Sequence, residues 1–62
     1  MKLTKLAMAR VIVMALYGTD KLPAADNINV RREMNAHNWA GLAHRHALAM
    51  KIIAARPAKE AT

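Results

Sequence analysis

The stretch "NAHNWAGLAHRHALAM", residues 35–50, carries all three histidines of the chain, His37, His44 and His46, together with its only tryptophan, Trp39. Clustered imidazoles raise two chemistries, metal coordination and proton transfer, because the neutral ring binds zinc and histidine titrates near neutral pH. Spacing decides between these and an ordinary helix. At 100° per residue His44 and His46 point about 200° apart, and His37 stands about 10.5 Å of rise from His44. Zinc needs its ligand nitrogens about 2.0–2.1 Å from one ion, so no two of these rings share a metal on one straight helix. In a strand His44 and His46 would lie on one face, but a context of Ala, Leu and Met favours the helix. A metal held by one His across a subunit interface lacks co-ligands, since the chain has no cysteine and only four carboxylates. Neither a metal nor a cofactor is expected.

Nucleophilic catalysis fares no better. It needs Ser, Cys or an activated Lys beside a base, and the chain has neither Ser nor Cys. The acids Asp20, Asp26, Glu33 and Glu60 are scattered among helix caps, a helix surface and the tail. No pair has a spacing suited to acid–base work. Two glycines cannot build a phosphate-cradling loop. The chain is therefore expected not to be an enzyme.

The elements that carry these residues follow from periodicity and punctuation. The segment "MKLTKLAMARVIVMALYG" has only Arg10 polar between Leu6 and Tyr17. Leu6, Ala9, Val13 and Leu16 form one apolar stripe, and Met8, Ile12 and Ala15 form the next, so this helix must be covered all round. The uninterrupted run from Val11 to Tyr17 is too short for a membrane span of about 20 residues and at the lower limit of a signal core. Neither fate is expected. A buried strand at "VIVMALY" is the alternative that Val-Ile-Val raises. Gly18 suits the left-handed residue past a helix end. Pro23 forbids simple continuation, and Asp26, Asn27 and Asn29 all qualify as caps for the next helix.

That helix, "NVRREMNAH", turns Val30 and Met34 inward and Arg31 and Arg32 outward. Asn38 caps a third helix, "WAGLAHRHALAMKIIAAR", which Pro57 ends. The expected domain is single, with helices at about 3–17, 29–37 and 39–56, a connector at 18–28 and a polar tail at 57–62. The last two helices are alternatively one, bent near Asn38 or Gly41. On the third helix Trp39, Leu42, Ala43, Ala49, Met50 and Ile53 form a core stripe. His46 lies in its middle, a neutral ring with one hydrogen bond, for which Tyr17 or a backbone carbonyl is the candidate partner. The fold class is all-α, a small two- or three-helix, hairpin-like domain. At 62 residues without disulfides, self-association or a partner is expected to stabilise it. The lack of cysteine fits a reducing, cytoplasmic setting.

Ten Lys and Arg against four acids give a net charge of +6, which favours anionic partners. Asn38, Arg45 and Arg56 fall within about 20° of one another, a polar ridge flanked by His44 and Lys51. Leu48 and Ile52 lie beside it. An apolar centre with a charged rim is how small proteins dock on larger ones. The leading expectation is thus a small basic binding protein, a phage- or plasmid-type regulator, inhibitor or accessory subunit. It docks on a larger protein, expected to be a nucleic-acid-handling machine, through Trp39, Leu48, Ile52, Arg45 and Arg56. The alternative is a homodimer that binds DNA or RNA phosphates through Arg31, Arg32, Arg45, Lys51 and Arg56. A peripheral membrane protein with the first helix at the interface is the third reading.

Overall fold

The structure is a computed structural model that describes residues 3–57. It contains three α-helices, α1 (Lys5–Tyr17), α2 (Ile28–Ala36) and α3 (Trp39–Ala54), and no strand among the described residues. The domain is all-α, and "VIVMALY" is helical. Its β-prone residues are overridden by tertiary packing, which outweighs local propensity. The polar tail expected from 57 onward lies outside the described residues beyond Pro57.

Each helix starts on a side-chain oxygen that serves an orphan backbone N–H. The Thr4 hydroxyl accepts from the Ala7 amide at 3.0 Å. The Asn27 side chain accepts from the amides of Asn29 and Val30 at 2.8 and 3.3 Å, which selects Asn27 from the three candidate caps. Asn38 accepts from Gly41 at 2.9 Å. His37 and Asn38 are both extended, so α2 and α3 are two helices and not one bent helix. Gly18 ends α1 at φ 67°, with its amide donating to the Met14 carbonyl. A side chain there would strain the left-handed backbone.

Both α2 and α3 pack against α1, which lies between them. The core is Met8, Ala9, Ile12, Val13 and Ala15 of α1, Val30 of α2, and Leu42 and Ala49 of α3. Leu6, Val11, Met34, Ala43 and Ile53 pack around it. The cover that an all-apolar first helix requires is supplied within the chain. Of α1, only Lys5, Leu16 and Tyr17 remain exposed. The connector closes one side, pinned where Arg10 Nε donates to the Pro23 carbonyl at 2.8 Å.

Two expectations about packing are corrected. Trp39 and Met50 do not sit in the core; they are 51% and 49% exposed. α3 packs chiefly on α1, so its buried stripe narrows to Leu42 and Ala49, and Trp39 and Met50 fall on the outer edge. Glu33, placed by the sequence on a helix surface, is buried at 9% exposure. It shares the inward face of α2 with Val30 and Met34, at the i, i+3, i+4 spacing that makes one helical face.

Candidate docking site

α1 and α3 run in the same direction. At one end Leu3 and Leu6 meet Trp39, and at the other Arg56, just past α3, reaches the carbonyls that end α1. Between the helices toward this second end lies a trough of about 120 Å³, lined by Ile12, Leu16, Arg45, Leu48, Ala49 and Ile52. Its walls follow helical spacing: Ile12 and Leu16 are one turn apart on α1, and Leu48 and Ile52 one turn apart on α3. Ile12 and Ala49 form the buried floor, while Leu16, Leu48 and Ile52 are 55%, 46% and 45% exposed. Three half-exposed aliphatic side chains thus surround one concavity with a buried apolar floor.

The polar ridge expected on α3 is taken apart by the fold. Asn38 is the helix cap. Arg45 reaches across to α2 and grips Glu33 with two hydrogen bonds: Nε donates to Oε2, and Nη2 donates to Oε1 at 3.1 Å. His37 Nε2 stands 3.5 Å from the same carboxylate. Arg56 donates to the carbonyls of Met14 at 2.8 Å, Thr19 at 2.9 Å and Ala15 at 3.3 Å. Both arginines are internal staples, because a desolvated carboxylate and a set of orphan helix-end carbonyls each call for a cation. The hydrogen bonds with Glu33 raise the Arg45 guanidinium above its ordinary value; burial opposes this more weakly, and the attraction of the carboxylate charge adds to it. Stability from this shift is therefore full at every pH below the ordinary guanidinium range and is lost only in strong alkali.

Of the residues singled out by sequence for docking, the structure brings Leu48, Ile52 and the Arg45 side chain together in one trough. Trp39 is elsewhere, lining a wider and more open hollow with Leu3, Thr4, Lys5 and Leu6. Of the five cations of the phosphate-binding alternative, three are exposed and two are bonded within the chain. Arg31 and Arg32 are exposed on the outer side of α2 and Lys51 is exposed on α3, while Arg45 and Arg56 are engaged within the chain. The α1 wall, Ile12 and Leu16, joins the site only through the fold, although the i, i+4 spacing of the pair is visible in the sequence.

Tyr17 does not bond His46; its hydroxyl donates to the Asn29 side chain at 3.2 Å. His44 is exposed and His46 half-buried. Among the described residues no group of three His, Asp or Glu side chains is placed to hold a metal ion. No helix among them is long and apolar enough to cross a membrane. Compared with protein-family models, curated proteins and solved structures, the chain matches none.

Proposed function

We propose that this chain is a non-catalytic docking protein, a regulator or accessory subunit, that binds a larger protein through the trough between α1 and α3. One observation carries the reading: Leu16, Leu48 and Ile52 are half-exposed around a concavity with a buried apolar floor. Exposed leucines scattered singly need no explanation, but a contiguous concave set is the usual anchor pocket of an interface. The internal engagement of Arg45 and Arg56 supports the same reading, since it withdraws two of the five cations from any phosphate-binding surface. Among the described residues the buried carboxylate is Glu33, and its engagement by Arg45 supports a structural role for it.

The test is capture of partners from cell extract on the tagged chain, with and without nuclease, by three versions of it. These are the wild type, Leu48→Ala with Ile52→Ala, and Arg31→Ala with Arg32→Ala. A protein retained after nuclease and lost with the leucine–isoleucine pair is the expected result. Retention that depends on intact nucleic acid and on Arg31 and Arg32 sinks the reading.

A further inference from the structure

We infer that the occupant of the α1–α3 trough is a single amphipathic helix of the partner whose flanks carry acidic side chains. The inference rests on the docking reading above and specifies what docks. Shape favours a helix. The trough has two helical walls over the buried floor of Ile12 and Ala49: α3 presents Leu48 and Ile52 one turn apart, and α1 presents Leu16 opposite them. A third helix repeats that spacing along its own apolar stripe and satisfies its own backbone while it lies in the trough. An extended segment does neither, because the described residues contain no sheet edge to pair with its N–H and C=O groups.

Charge selects the flanks. Neither α1, "KLAMARVIVMALY", nor α3, "WAGLAHRHALAMKIIA", contains an acid. The four acids of the chain lie in the connector (Asp20, Asp26), in α2 (Glu33) and in the tail (Glu60), and Glu33 is already bonded to Arg45. Beside Leu48 and Ile52 the exposed charged residue of α3 is Lys51, one position before Ile52. A helix flanked by Glu or Asp meets this surface with opposite charge, and a basic helix meets it with like charge. A second copy of the chain is disfavoured on the same ground, since pairing two troughs would set the Lys51 of each copy against helices α1 and α3, which contain no acid.

Three synthetic helical peptides test this directly. Each is about four turns long, with the same Leu face and with Glu, Gln or Lys at the flanking positions. Binding is read by fluorescence anisotropy of the labelled peptide and by methyl NMR shifts of the full chain, with circular dichroism confirming that every variant is folded. The Glu peptide is expected to bind about tenfold or more tighter than the Lys peptide at low salt, an advantage that shrinks as salt rises. Shifts should centre on Leu16, Leu48 and Ile52. Lys51→Glu should reverse the ranking of the Glu and Lys peptides, and Leu48→Ala with Ile52→Ala should weaken the Glu peptide about tenfold or more.

Equal affinity for the three peptides, or shifts centred on Leu3 and Trp39, overturns the inference. So does a Leu48-dependent dimer of the chain alone in sedimentation, which would give the trough to a second copy. The two readings fail separately. A protein captured from extract in a Leu48-dependent way while the Glu peptide does not bind removes the acidic helix and leaves the docking function. Loss of the Leu48-dependent capture removes the docking function itself.

Discussion

At the scale of single residues, the buried Glu33 and its clasp by Arg45 define the chain's polar interior. The two partners are not equivalent, because the Glu33 side chain is 10% exposed and that of Arg45 34%. Removing the arginine leaves a buried carboxylate with His37 alone beside it, whereas removing the carboxylate leaves a guanidinium that can turn to water. Arg45→Met should therefore cost about 2–3 kcal/mol, toward the lower end for a buried pair because Arg45 is partly solvated. Glu33→Gln should cost only about 1–2 kcal/mol, since an acceptor is kept. Urea unfolding of both variants checks the order, and an equal or inverted cost would show that Glu33 is not desolvated. Gly18 offers a second residue-level test. A Cβ at Gly18 meets nothing within 4 Å, so Gly18→Ala probes backbone strain alone and should cost about 1 kcal/mol in thermal unfolding. The role of Gly18 is legible in the sequence, because a helix end is a local event. The Glu33–Arg45 pair is not: its partners are 12 residues apart on different helices. A signal does exist, however, in an acid spaced three residues from Val30 and one from Met34.

At the scale of elements, the parallel course of α1 and α3 creates an electrostatic problem that Arg56 answers. Two helices running the same way bring their partially negative C-terminal ends together. Arg56 follows α3 and donates to three carbonyls at the end of α1, so one cation serves that junction. Arg56→Ala should lower stability by about 2 kcal/mol, as loss of charged hydrogen bonds to partly buried acceptors does. Arg56→Lys should recover only part of this, because an ammonium cannot fork across the Met14 and Thr19 carbonyls. Hydrogen exchange in the last turns of α1 and α3 is the readout, and unchanged protection there would refute the staple. Caps and breaks at this scale are legible: Asn38, Gly18 and the inward pair Val30 and Met34 all follow from short-range rules. Orientation is not. The wheel of α3 yields a stripe that includes Trp39 and Met50, but the packing of α3, chiefly on α1, decides which part of that stripe is buried. Arg56 falls on the expected polar ridge for the same reason, since its acceptors are about forty residues away and no local pattern points to them.

At the scale of the whole molecule, the apolar trough is built by α1 and α3 while the exposed pair Arg31 and Arg32 belongs to α2, which makes the mode of binding separable by experiment. The internal staples mean that neutralising Arg45 and Arg56 would perturb folding as well as binding. The clean phosphate test is Arg31→Ala with Arg32→Ala, both exposed on the far side of α2. If binding is to nucleic-acid phosphates, that pair should weaken it on any duplex. It should also flatten the salt dependence by up to about 0.9 in log–log slope for each phosphate no longer neutralised. Leu48→Ala would then change little, since backbone binding makes small use of aliphatic groups. If binding is to a protein in the trough, Leu48→Ala or Ile52→Ala should each cost about 1–3 kcal/mol of affinity. Lys51 would act chiefly on association rate as a rim charge, and the Arg31–Arg32 variant would bind as the wild type does. We expect the second pattern, because the fold spends two of its arginines on its own carbonyls and carboxylate while leaving Leu16, Leu48 and Ile52 half in water. Affinity of the captured partner for these variants, measured at two salt concentrations, decides the matter. A steep salt slope that Leu48→Ala leaves untouched would move the function from the trough to the outer face of α2.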